Sequence, residues 1–173
     1  EGPVWDACAG RGGKTLALME LGVPVLAASD TYQPRLRGLR DDARRLVITP
    51  PPLFCASAAE PALRGEPGTI LLDVPCSGLG TLSRHPDLRV LRTPGQVADL
   101  VALQRRILDA VWPLLPSGGR LAYITCTMNP AENEGQIAAF LERTPGASLE
   151  IQWQSAPDTF GSDLMFGAIV RKQ

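Results

Sequence analysis

The chain has 173 residues, 45% of them apolar and 20% charged, with a net charge of −1. That length buries a proper core within one domain, and the composition is that of an ordinary globular fold. The near-zero charge gives no electrostatic sign of a nucleic-acid partner, and no apolar run is long enough to cross a bilayer or forms a signal peptide.

Val4-Trp5-Asp6-Ala7 predicts a short strand. The glycine-rich turn Gly10-Arg11-Gly12-Gly13 and a helix from about Lys14 to Leu21 follow, with Leu16 and Met19 facing inward. Val23 to Ala28 predicts a second strand ending in Ser29-Asp30, then a helix from near Pro34, a first-turn proline, to Leu46. Pro50-Pro51-Pro52 stiffens the entry to a brief third strand, Leu53-Phe54-Cys55, and Thr69 to Leu72 is the fourth. Ser77 to Arg92 reads as a long loop. Thr93-Pro94 then offers a cap and first-turn proline to a helix whose inner face is Val97, Leu100, Val101, Leu108, Val111, Trp112 and Leu115. Ser117-Gly118-Gly119 turns into a fifth strand, Asn129-Pro130 predicts the start of a helix through Leu141, and Leu149–Trp153 and Leu164–Val170 are the last strand candidates. Repeated βα units predict a mostly parallel sheet with helices on both faces.

A glycine turn between a first strand and a helix brings backbone N–H groups close to a polar or anionic ligand. Gly13-Lys14-Thr15 matches the end of a Walker A loop, but that pattern needs glycine where Cys8 stands. A dinucleotide fingerprint begun at Gly10 meets Thr15 in place of its third glycine. S-adenosylmethionine is the third ligand class held by such a turn. Asp30, at the end of the second strand, is placed either to hold ribose hydroxyls or to cap the next helix.

Two cysteines follow continuously apolar runs. Cys76 ends Ile70-Leu71-Leu72-Asp73-Val74-Pro75-Cys76, and Cys126 ends Leu121-Ala122-Tyr123-Ile124-Thr125-Cys126. Both fall at the carboxyl edge of the predicted sheet, where α/β folds build their sites. With Cys8 and Cys55 they lack the close spacing of a zinc site or a redox pair. Reduced thiols in a cytoplasm, with no bound metal, are expected. Cys55 reads as a small buried hydrophobe and Cys8 as a backbone contributor to the glycine loop. His85, the only histidine, lies in the long loop and is open to packing or to a ligand contact.

Asp6-Ala7-Cys8-Ala9-Gly10-Arg11-Gly12-Gly13-Lys14-Thr15, Asp73-Val74-Pro75-Cys76-Ser77-Gly78-Leu79-Gly80 and Tyr123-Ile124-Thr125-Cys126-Thr127 resemble three signature motifs of the Sun-type (RsmB-like) RNA cytosine-5 methyltransferases. Ser83-Arg84-His85-Pro86-Asp87, Leu103–Pro113 and Asn129-Pro130-Ala131-Glu132-Asn133-Glu134 extend the resemblance over essentially the whole chain. It implies a class I S-adenosylmethionine-dependent methyltransferase fold: Rossmann-like, seven-stranded and mostly parallel, with the last strand antiparallel. Residues 1–173 would be one catalytic domain, a fragment whose upstream RNA-binding region is absent. The methyl donor would be S-adenosyl-L-methionine and the acceptor a cytosine in RNA, ribosomal RNA by the same resemblance. No membrane partner is expected, and oligomeric state is left open.

The resemblance makes Cys126 the nucleophile and Cys76 the cysteine that assists product release. Asp73 would hold the base. Cys8, Ala9, Gly10, Arg11, Gly12, Gly13, Lys14, Asp30, Ser57 and Asp73 would line the methyl-donor site. A thiolate is needed because carbon 5 of cytosine is too weak a nucleophile until a thiolate adds to carbon 6. A helix starting just beyond Asn129 is expected to stabilise that thiolate. Two residues depart from the family pattern. Arg11 replaces a proline, adding a charge beside the expected methionine carboxylate. Ser57 stands where an aspartate accepts the adenine amino group, which would cost about 1.5–3 kcal/mol of binding. A methyltransferase-like RNA-binding domain with weakened catalysis is therefore the alternative reading.

Overall fold

A computed structural model describes residues 2–156 and 163–173. Seven strands, β1 (Val4–Asp6), β2 (Val25–Asp30), β3 (Leu53–Cys55), β4 (Thr69–Asp73), β5 (Arg120–Thr125), β6 (Ala147–Gln154) and β7 (Phe166–Lys172), form one sheet ordered β3-β2-β1-β4-β5-β7-β6. β1 to β5 run parallel, and β7 is antiparallel to both β5 and β6. This is the expected class I methyltransferase sheet. The order reverses between β1 and β4, so the carboxyl ends of these two strands flank the crevice where open α/β sheets bind ligands.

Two cores lie on the two faces. Helices α4 (Pro94–Val111) and α5 (Glu134–Arg143) cover the larger one, in which Trp5, Ile70, Leu72, Leu121, Tyr123 and Phe166 meet Leu108, Val111, Ile137 and Phe140. Burying each large apolar side chain contributes about 1.5–3 kcal/mol. Trp5 is wholly buried, and its indole N–H donates to the Ser29 hydroxyl at 3.1 Å. On the other face α1 (Gly13–Glu20) and α2 (Gln33–Arg45) enclose Leu16, Ala28, Leu39 and Ala43.

Most elements fall where the apolar runs predict them. α4 starts on a capping box: Thr93 Oγ1 accepts from Gln96 N–H at 3.3 Å, and the Gln96 side chain accepts from Thr93 N–H at 3.1 Å. Three expectations change. The loop from Ser77 to Arg92 contains a 3-10 turn at Leu79–Thr81 and a short helix α3 (Leu88–Leu91). α5 begins at Glu134, because residues 129–133 form tight turns in which Glu132 N–H and Asn133 N–H donate to Asn129 and Pro130 carbonyls. Leu164 precedes β7 instead of opening it. Among the described residues no helix is long and apolar enough to cross a membrane.

Candidate active site

The carboxyl ends of β1, β2, β4 and β5 open into a cavity of about 560 Å³, within the range of small-molecule sites. Cys8, Gly10, Asp30, Ser57, Asp73, Cys76 and Cys126 all line it. Other residues complete the wall: Thr31, Arg35 and Arg92 are polar, while Leu100, Leu103 and Ile107 of α4 supply an apolar side. Ala9, Arg11, Gly13 and Lys14 line an adjoining hollow of about 330 Å³ that shares Cys8, Gly10 and Asp73. Gly12 lines neither. It is buried at φ 83°, and a Cβ there would overlap the Leu39 side chain, so glycine lets the loop pass against α2.

Two carboxylates organise the loop. Asp6, 1% exposed, accepts from the Thr15 hydroxyl at 2.6 Å and Cys8 N–H at 3.4 Å. Burial pushes it up to about 6 despite these donors. Asp30 accepts from Gly10 N–H at 2.9 Å with one oxygen and from Tyr32 N–H at 2.8 Å with the other, and it pairs with Arg35 at 3.7 Å. It therefore faces the cavity and also orders the entry to α2. Lys14 Nζ reaches across to Asp73 at 2.6 Å, tying the glycine loop to the end of β4.

Arg11 behaves otherwise than expected. Its guanidinium is largely exposed and lies on α2, beside Gly38 and 3.4 Å from Asp42. Ser57 stands on the cavity wall with its hydroxyl accepting from Ala59 N–H at 3.2 Å. Cys55 is exposed, not buried, because β3 is a three-residue edge strand; its thiol donates to the Thr31 carbonyl at 3.3 Å. His85 is exposed on the loop after β4.

The sulfurs of Cys76 and Cys126 are 3.3 Å apart. The Cys76 thiol donates to Cys126, which raises Cys76 and, with burial, holds it protonated; the same hydrogen bond lowers Cys126 towards thiolate. The helix expected near Cys126 starts later than predicted but close by in space. The first residue of α5 lies eight positions beyond Cys126, and the side chain of Asn133, at its N-terminus, reaches Thr125 and Thr127. Around the pair lies a buried polar network. Glu132, fully buried, accepts from Ser77 N–H (2.8 Å), the Ser77 hydroxyl (2.6 Å) and the Gln104 amide (3.1 Å). Ser77 and Thr127 hydroxyls meet at 2.8 Å. Gly80 N–H donates to the Cys126 carbonyl at 2.9 Å, closing the turn from the far side.

An edge crevice lined by paired thiols is matched by a family assignment. The sequence profile described as 16S rRNA methyltransferase RsmB/F covers residues 1–166. The chain belongs to this RsmB/F family. It is similar to ribosomal RNA small subunit methyltransferase B of Vibrio cholerae, 43% identical over 150 residues that make up 84% of this chain and 34% of the relative. A probable enzyme of the same description from Synechocystis is 44% identical, over 82% of this chain and 33% of the relative. The chain thus spans about a third of the length of these curated RsmB relatives. Among solved structures, NSun6 from Pyrococcus horikoshii with SFG is 28% identical with a TM-score of 0.87, over 99% of this chain and 48% of that one. A methyltransferase homolog from the same organism is 29% identical with a TM-score of 0.83, over 99% and 62%.

Proposed function

We propose that this chain is the catalytic part of an RNA cytosine-5 methyltransferase that uses S-adenosyl-L-methionine and acts on ribosomal RNA in the cytoplasm, where thiols stay reduced. The observation that carries the reading is the pair of unlike thiols 3.3 Å apart on the rim of a cavity that the glycine loop also lines.

The cavity suits that methyl donor better than a nucleoside triphosphate. Its lining carries two carboxylates, Asp30 and Asp73, while its cations are engaged: Arg35 with Asp30 at 3.7 Å, Arg92 with the Ser77 carbonyl at 2.9 Å, and the neighbouring Lys14 amine with Asp73. Carboxylates repel phosphates, whereas ribose hydroxyls, an ammonium and a sulfonium all favour them. Cys8, Ala9, Gly10, Gly13 and Lys14 would hold its methionine end, Asp30 its ribose, and Ser57 with Leu103 and Ile107 its base. When bound, the donor supplies an electrophilic methyl group.

The chemistry at the cytosine belongs to this chain's residues. Cys126, as thiolate, adds to carbon 6 and moves an electron pair towards carbon 5, which then takes the methyl group. Asp73 hydrogen-bonds the edge of the base, and the nucleotide enters unstacked. Consuming Cys126 in the adduct removes the hydrogen bond that keeps the Cys76 proton in place. Cys76 then releases its proton to solvent and takes the one on carbon 5. The electron pair left behind re-forms the double bond and expels Cys126.

Two measurements test this. S-adenosylmethionine and its demethylated product should each raise the melting temperature of this chain by mass action, while ATP and NAD should not. The intact parent protein should place 5-methylcytosine in RNA and lose that activity on Cys126→Ala. Normal biological function with Cys126→Ala would instead favour a binding module that does not catalyse.

A further inference from the structure

The dipeptide Glu132-Asn133 grips both cysteine turns at once. The Glu132 carboxylate holds the residue after Cys76, through Ser77 N–H at 2.8 Å and its hydroxyl at 2.6 Å. The Asn133 amide straddles Cys126: its oxygen accepts from the Thr125 hydroxyl at 2.6 Å, and its nitrogen donates to the Thr127 carbonyl at 2.9 Å. The Ser77–Thr127 hydroxyl contact closes the ring, and every member is buried to 0% exposure.

Helix stability does not explain this arrangement. Asparagine at a helix N-cap ordinarily accepts from the first-turn N–H groups, which is worth about 1 kcal/mol. Asn133 occupies that position in α5 yet makes no capping bond, its amide being spent on the Cys126 turn. Glu132 is likewise costly: a carboxylate buried to 0% exposure, held by neutral donors from Ser77 and Gln104 with no ion pair among the described residues. Two neighbouring residues that each forgo a local gain in order to bracket the two sulfurs point to a role in setting their separation.

We propose that Glu132 and Asn133 are positioning residues that fix the distance between the Cys76 and Cys126 sulfurs. The proposal rests on the reading that these two cysteines carry the chemistry. It implies that the clamp keeps the Cys76 thiol within donating distance of Cys126, so that the nucleophile stands ready before any RNA arrives.

The test is the pH dependence of iodoacetamide alkylation at Cys126 in this chain, resolved from the other thiols by peptide mass, with exposed Cys55 as internal reference. Asn133→Ala and Glu132→Gln should move the Cys126 midpoint to higher pH, each unit slowing its alkylation at neutral pH about tenfold while Cys55 is unaffected. A purely structural role would lower the melting temperature and leave that midpoint in place. Folded variants with a wild-type midpoint therefore overturn the proposal. Should either variant fail to fold, the neutral and nearly isosteric Thr125→Val decides. It removes the hydroxyl that donates to Asn133 at 2.6 Å without adding charge, and an unmoved midpoint there refutes the clamp equally. Alkylation needs neither RNA nor methyl donor. A displaced midpoint in a protein that never methylates cytosine would sink the functional reading and leave the clamp standing.

Discussion

Asp6 makes the folded chain easier to unfold as pH rises through the weakly acidic range. It is 1% exposed beneath the glycine loop, and burial lifts it from an ordinary 3.8 to about 6, partly offset by the Thr15 hydroxyl and Cys8 N–H. Between those two values the native protein keeps a proton that the unfolded chain has released. The stabilising contribution is therefore complete below 3.8 and is lost as pH rises through about 6. At about 1.4 kcal/mol per pH unit, the displacement from 3.8 to about 6 amounts to about 3 kcal/mol at neutral pH. Asp6→Asn preserves the shape and cannot titrate. Urea unfolding of both proteins from about pH 4 to about pH 8 isolates the group, because every other titration appears in each curve. The stability of the wild type minus that of Asp6→Asn should fall by about 2.5 kcal/mol across that range, most steeply between pH 4 and 6, and then level off. A difference that stays flat, or that grows with pH, would refute a native-state carboxyl raised by burial.

Gly12→Ala combines a left-handed φ of 83° with overlap on the buried Leu39, so strain and overpacking together should cost about 2–5 kcal/mol, read as a lower urea midpoint. Gly80→Ala would set its new carbon on the carbonyl oxygens of Leu164 and Cys126, and amide exchange at Leu164, which now donates to Gly80 at 2.9 Å, should quicken markedly. On the proposed mechanism, Cys76→Ala in the intact parent protein should accumulate a covalent protein–RNA adduct, visible as a retarded band on a denaturing gel. The same band with Cys126→Ala instead would reverse the two roles.

The parallel half of the fold was legible because each of its strands is a short apolar run stopped by a turn residue, and α4 because Thr93-Pro94 announces it. α5 was misplaced for a physical reason. Asn129-Pro130 carries the local signal of a helix start, but the side chain of Asn133 is drawn onto the Cys126 turn, so the backbone from 129 to 133 folds as turns and the helix begins later. Tertiary hydrogen bonds outweighed local preference there. Cys55 was misread because a β3 of three residues does not bury its last side chain. The glycine loop, both cysteines and the stretch holding Glu132 were visible as motifs, whereas Arg92 and the contacts of Glu132 were not. Arg92 lines the cavity from the far side of the loop after β4 and bonds the Ser77 carbonyl at 2.9 Å. Glu132 meets Ser77 across 55 residues, and no spacing rule reaches that far.

The sheet turns two identical residue types into chemically different groups. Cys76 and Cys126 each follow a parallel strand, and β4 and β5 are neighbours in register, with Asp73 opposite Ile124. Pairing alone would leave the two thiols equivalent. What separates them lies around the strand ends. The Cys76 turn is anchored inward, where Gln104 of α4 donates to the Pro75 carbonyl at 2.9 Å and Glu132 holds Ser77. Burial there favours the neutral thiol, which then has one good use for its proton, the sulfur 3.3 Å away. Cys126 receives that hydrogen bond, which lowers it towards the thiolate. In the proposed mechanism such a nucleophile would carry its own release step, because the group that stabilises the thiolate would become free to act once the thiolate is spent.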